Sequence, residues 1–127
     1  MIGIILVSHS RELTWDLAEL LAQIGSSDVP VAVAGGTPDG RIGTSADLVR
    51  EAIRAMDGAD GIVVVPDLGS AVLTVRAVLE DQPNERVLLV DAPFVEGAVA
   101  AAVTAASGGS LDEVAEAARQ ARDVPKF

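Results

Sequence analysis

The chain has one imidazole, His9, and no cysteine or tyrosine among its 127 residues. Nucleophilic attack or proton transfer near neutral pH therefore has few other candidates. His9 stands in Ser8-His9-Ser10, directly after the apolar run 2–7 and just ahead of a helical pattern that starts from Glu12. By position alone it reads equally as a nucleophile or general base and as a surface or capping residue. Asp67 tips the balance. It ends another apolar run, Val63-Val64-Val65-Pro66, where a carboxylate needs a partner or solvent. A carboxylate that accepts from one ring nitrogen fixes the tautomer and turns the other nitrogen's lone pair outward. It also favours the cationic imidazole that forms when that second nitrogen bonds to phosphorus. The competing reading of Asp67 is a turn residue ahead of Leu68-Gly69-Ser70.

Groups suited to phosphate oxygens lie near both. Gly69-Ser70 opens a helix whose free N–H groups and Ser70 hydroxyl suit an anion, although an ordinary helix cap has the same sequence. Ser8 and Ser10 read either as phosphate ligands or as a turn. Gly43-Thr44-Ser45 opens another helix near the same rim and reads likewise.

The elements that must position these residues follow from periodicity. Apolar, β-branched runs at 2–7, 29–34, 61–66 and 86–91 have the little alternation expected of strands buried on both faces. Helical patterns separate them. The first places Leu13, Leu17, Leu20, Leu21 and Ile24 on one face and stops at Gly25. The second follows Thr44-Ser45, the third opens at Gly69-Ser70, and two more cover about 94–106 and 111–122, the last behind a Ser110/Glu113 capping box. This alternation predicts one α/β domain over 1–127, an open four-stranded, mainly parallel sheet with helices on both faces. The usual strand order is 2-1-3-4, which brings His9 beside Asp67 at the carboxyl rim, where open α/β sheets bind ligands. The longest loop, Gly35 to Gly43, follows the second strand onto that rim, and its four glycines allow backbone to approach an anion.

Composition narrows the partners. The formal charge is −10, from 19 acidic and 9 basic residues, so neither nucleic acid nor an anionic membrane is an expected partner and a basic protein is favoured. Neither the N-terminal apolar run nor Ala98–Ala106 is long enough to span a bilayer, and no basic leader precedes the first, so a cytoplasmic protein is expected. No cysteine and one histidine leave no expected metal site; the carboxylates best placed to take Mg²⁺ are Asp67 and Asp91, at neighbouring strand ends. Ser8 and Ser10 are immediate neighbours of His9 and no G-x-S-x-G occurs, which disfavours a serine hydrolase. A nucleotide loop is absent too, as are the clustered acids that a phospho-aspartate receiver needs after its first strand. Trp15 lies nearly opposite the leucine stripe, so it reads as a docking contact or as a residue covered by a neighbouring subunit or loop.

Five segments together resemble a known family. They are Val7-Ser8-His9-Ser10, Ala34-Gly35-Gly36-Thr37, Ile42-Gly43-Thr44-Ser45, Pro66-Asp67-Leu68-Gly69-Ser70-Ala71 and Pro93-Phe94-Val95-Glu96-Gly97-Ala98. Their order is similar to that of mannose-class IIA domains of the phosphoenolpyruvate-dependent phosphotransferase system. The Ser-His-Ser form is nearer the DhaM branch, the phosphotransferase subunits of dihydroxyacetone kinases. The resemblance implies that His9 takes phosphate on Nε2 from the carrier HPr, with Asp67 bonded to the other nitrogen. It implies onward transfer to ADP held on a DhaL subunit, for phosphorylation of dihydroxyacetone, with no tightly bound cofactor. Feeding a sugar-transport IIB component or a regulatory target is the alternative. Ser8, Ser10, Gly69 and Ser70 are then the expected phosphate ligands, and Gly36, Thr37, Gly43, Thr44 and Trp15 the expected rim and docking residues. A homodimer is implied as well. Mannose-class domains exchange a C-terminal strand, whereas here only Asp123 to Phe127 follow the last helix, with Pro125 unable to donate to a ladder. Without the fused carrier domains of some DhaM chains, separate carriers are expected.

Overall fold

The computed structural model describes residues 1–127. Strands and helices alternate as β1 (Ile2–Ser8), α1 (Arg11–Ile24), β2 (Val31–Gly35), α2 (Ala46–Ala55), β3 (Gly61–Pro66), α3 (Gly69–Asp81) and β4 (Val87–Leu89). Two further helices follow, α4 (Phe94–Ala106) and α5 (Leu111–Gln120), and a 3₁₀ turn, Ala121–Asp123. The strand order is β2-β1-β3-β4, with every pair parallel. The apolar runs predicted all four strands, and the observed ones are shorter at β2 and β4. Val29 is buried but lies ahead of β2, and past β4 the Val90 N–H still bonds the Val64 carbonyl at 3.0 Å.

Alternation along the strands builds two cores. Ile2, Ile4, Leu6, Val63 and Val65 meet Leu17 and Leu21 of α1, the small residues Ala98, Ala101, Ala102 and Ala105 of α4, and α5. Ile5, Val7, Ile62 and Val64 meet Val49, Ala52 and Met56 beneath α2, and Val75 and Val78 of α3. Removing each such side chain from water contributes roughly 1.5–3 kcal/mol, so both faces are needed to fix the sheet. Two caps form where expected: Ser45 accepts the Leu48 N–H, and both halves of the Ser110/Glu113 box form; Ser10, read as a phosphate ligand or a turn, caps α1 by accepting the Leu13 N–H.

One expectation about α1 is corrected. Leu17 and Leu21 face the core together with Thr14, whereas Leu13, Leu20 and Ile24 remain 43, 38 and 54% exposed. The helix is turned by a close approach to β2. A Cβ at Gly35 would lie 2.4 Å from Thr14 Oγ1 and 2.8 Å from Arg11 Cα, so only glycine admits the first turn of α1 there. Thr14 satisfies its buried hydroxyl by donating to the Arg11 carbonyl at 2.7 Å.

Candidate functional site

The pairing of β1 with β3 aligns Val7 with Pro66, which carries the next residues, Ser8 and Asp67, to adjacent positions at the carboxyl rim. The Asp67 N–H bonds the Val7 carbonyl at 3.0 Å and keeps the two chains together past the last strand pair. The loop after β2 grips His9 from the other side. The Gly36 N–H donates to the Ser8 carbonyl and the Gly43 N–H to the His9 carbonyl, each at 3.0 Å. Gly43 has a φ of +147°, a region that favours glycine, and a Cβ on it would stand 3.0 Å from Thr37 Cγ2.

Asp67 is the hub. Oδ1 accepts His9 Nδ1–H at 3.0 Å and the Leu68 N–H at 2.6 Å; Oδ2 accepts the Ser8 hydroxyl at 2.7 Å and the His9 N–H at 3.1 Å. Burial alone would raise its carboxyl pKa, but the hydrogen bonds from Ser8, then the His9 ring, then the His9 and Leu68 backbones outweigh it and hold the group below its ordinary value. An ionised carboxylate only accepts, so Nδ1 carries the ring proton and Nε2 presents its lone pair. The side chains of His9 and Asp67 are 21% and 10% exposed, a ring open to an incoming group and a carboxylate mostly shielded behind it.

Nε2 meets the Ser70 hydroxyl at the first turn of α3. Ser70 is itself braced: its carbonyl accepts the Thr74 hydroxyl at 2.9 Å. With that proton committed, Thr44 is the donor in its 2.9 Å bond with Thr74, which ties the loop after β2 to α3. The N–H groups of Gly69 and Ser70 head the helix beside the ring with no protein acceptor. A Cβ at Gly69 would meet nothing within 4 Å, so the fold itself does not require glycine there. Ser70, His9 and Asp67 are connected in the order of a serine-hydrolase triad. Ser70, however, begins a regular helix, and no residue other than glycine has a positive φ, so the strained elbow that presents a nucleophilic serine is missing.

The structure thus gathers His9, Asp67, Gly69 and Ser70 as the sequence predicts. Ser10 also stands at the rim, its Oγ occupied as an acceptor by the Leu13 N–H at 3.3 Å while its hydroxyl proton remains free. Two expectations fail. Ser8 is fully buried against Asp67 and cannot hold a phosphate, and Gly36 is buried at the base of its loop and cannot dock a partner. Thr37, Gly43 and Thr44 are half-buried loop braces. Trp15 is exposed, with the Arg11 guanidinium 5.1 Å from its ring centroid, one turn of helix beyond the rim. Ile42, Leu68 and Leu73, which the sequence did not single out, are the exposed apolar residues beside Gly43, Asp67 and Ser70. A cavity of about 680 Å³ between α3 and β4 includes Asp67 and Arg76 in its lining but not His9.

Known proteins share this arrangement of sequence. A family model described as the PTS system fructose IIA component, EIIA-man, matches residues 3–115. A phosphoryl donor subunit DhaM of a PEP-dependent dihydroxyacetone kinase from Listeria innocua is 39% identical over 106 residues, which are 81% of this chain and 85% of that protein. The DhaM of Escherichia coli is 42% identical over 120 residues, 90% of this chain but 25% of that longer protein. The chain therefore spans about a quarter of some relatives and most of others. A crystal structure of a protein described as of unknown function superposes with a TM-score of 0.82 at 31% identity, covering 94% of this chain and 93% of the other. No helix is long and apolar enough to cross a membrane.

Proposed function

The chain belongs to the family of the PTS fructose IIA component, among the DhaM phosphoryl donor subunits of dihydroxyacetone kinases, and on that premise we propose that His9 is its phosphocarrier residue. His9 takes a phosphoryl group from phospho-HPr and hands it to ADP held on a DhaL subunit, for phosphorylation of dihydroxyacetone. The observation that carries this reading is the ring clamped through Nδ1 on Asp67 with Nε2 on the open side.

The chemistry needs no exchange of protons with solvent. Nε2 attacks the phosphorus of the carrier's phosphohistidine in line, and the carrier's N–P bond breaks as the new one forms. The imidazole becomes cationic as it gains the bond, and the Asp67 carboxylate already faces the Nδ1–H that then carries much of that charge. The Ser70 hydroxyl, released from Nε2, turns its proton to a phosphoryl oxygen, and the amides of Gly69 and Ser70 offer further donors. Transfer to ADP reverses these steps and returns a neutral ring with Nδ1–H intact. The phosphoryl group is the only cargo, bound covalently, and no tightly held cofactor is required. A homodimer is part of the proposal, supported by exposed Leu13, Leu20 and Ile24 on α1; light scattering tests it.

Incubation with phosphoenolpyruvate, enzyme I and HPr is expected to add one acid-labile phosphate per chain by mass spectrometry, and none to His9→Ala. Labelling of a folded His9→Ala protein would overturn the assignment. Loss of the label on adding DhaL with ADP supports the kinase relay. Its retention moves the protein to a sugar-transport IIB or regulatory target, the reading that the family model's description favours.

A further inference from the structure

Ser8 is out of reach of any approaching phosphoryl group, yet its hydroxyl is used twice. It donates to Asp67 Oδ2 at 2.7 Å and accepts the Ser10 N–H at 3.0 Å. We propose that Ser8 is the positioning residue of the His9–Asp67 pair, fixing the plane of the carboxylate and through it the tautomer and direction of the ring.

The terminal torsion of an aspartate is soft, with no sharp staggered wells, so one bonded edge does not fix the carboxylate plane. In Asp67 the Oδ1 edge holds the ring and the Leu68 N–H. The Oδ2 edge is pinned by the His9 N–H and, at a shorter distance, by Ser8. Ser8 is a rigid anchor. It pairs with Gly35 of β2, its carbonyl takes the Gly36 N–H, and its side chain is completely enclosed. Through Ser10, the N-cap of α1, the same hydroxyl fixes where that helix begins. Strand β1, the end of β3 and the start of α1 thus meet at one oxygen atom. Without the Ser8 donor the Oδ2 edge keeps only the longer 3.1 Å bond from the His9 N–H, so the carboxylate plane loosens, the Nδ1 proton loses its well-aligned acceptor, and the second ring tautomer becomes populated.

This inference rests on the phosphocarrier reading only for its kinetic arm. In ¹⁵N-labelled, unphosphorylated protein the ring is expected to be the Nδ1–H tautomer, with that proton protected from exchange; in Ser8→Ala the tautomers mix and the protection is lost. Phosphoryl uptake from phospho-HPr is expected to fall about tenfold in maximal rate, the scale of one hydrogen bond to a charged group. The half-saturating carrier concentration is expected to stay unchanged, because Ser8 touches no docking surface. Ser8→Thr, which restores the hydroxyl, is expected to recover both readouts. Ser8→Cys keeps the volume with a weaker donor, so it reads the same tautomer even if the alanine variant does not fold. An undisturbed Nδ1 proton in the folded alanine or cysteine variant overturns the proposal. If the tautomer shifts but the wild-type chain takes up no phosphate, the positioning role stands and the carrier reading fails.

Discussion

Strand β3 is bracketed by two aspartates, Asp60 before its first residue and Asp67 after its last, and both carboxyls are held below their ordinary pKa by opposite means. Asp60 pairs in solvent with the amino terminus of Met1, by hydrogen bond first and charge second, and its side chain is 75% exposed. Asp67 pairs with no lysine, arginine or terminal amine. Its charge is held by four hydrogen bonds, from one hydroxyl, one ring N–H and two backbone amides. At the amino rim the negative charge is already neutralised. At the carboxyl rim no guanidinium or ammonium neutralises it, so on the proposed reading its attraction is available to the positive charge that the His9 ring gains with a phosphoryl group. Two residues of one type, a strand's length apart, differ because one has a counter-ion and the other, on the proposed reading, awaits one.

Abolishing that charge is the strongest way to break the contrast. Asp67→Asn is expected to slow phosphoryl uptake by about 10- to 100-fold, the scale of a lost charge-assisted hydrogen bond. The amide's N–H₂ group would also face either the Ser8 hydroxyl and the His9 backbone N–H or the His9 ring N–H and the Leu68 N–H, so some stability is lost with it. Uptake at the wild-type rate would show that the carboxylate does not serve the ring. Gly69→Ala sharpens the contrast by filling space that only a partner uses. Its melting temperature is expected to hold or rise slightly, because the added Cβ meets nothing and alanine favours a helix. Uptake is expected to fall roughly tenfold, since a displacement of about 1 Å at reacting atoms can cost on the order of 100-fold. A variant that transfers normally would mean the phosphoryl group approaches elsewhere.

Much of this was legible in the chain. Apolar runs without alternation, caps at Ser45 and Ser110, and the strand order fix the rim and bring His9 to Asp67, because each is a local signal or a topological rule. Ser8 was misread because its neighbours are polar. Alternation along β1 does not separate it from His9, because Ser8 shares the parity of Ile4 and Leu6 and His9 that of Ile5 and Val7, and both sets are buried. The rotation of α1 left no trace either. Five apolar residues fit one helical stripe, and only the contact of Thr14 and Arg11 with Gly35, distant in sequence, selects which of them are buried. Gly36 likewise reads as a flexible rim residue until the Ser8 carbonyl is seen to claim its N–H.

Acid titration separates the two carboxylates more finely. Both have folded-state pKa values below the unfolded ones, so each contributes stability that is present above about pH 4 and is lost as the pH falls through its folded value. Ionic strength distinguishes them. The Asp60 pair is exposed and is screened by added salt, whereas Asp67 is held by hydrogen bonds that are short and partly enclosed, which salt screens much less. In thermal melts between pH 5 and 2, Asp60→Asn is expected to flatten the pH dependence in low salt and to match the wild type in high salt. Asp67→Asn is expected to flatten it in both. Phosphoryl uptake by Asp60→Asn should equal that of the wild type, because the residue stands at the opposite end of β3 from His9. A loss of transfer in that variant would mean that the two rims are coupled through the strand, and the division between a neutralised rim and a charge held ready would no longer stand.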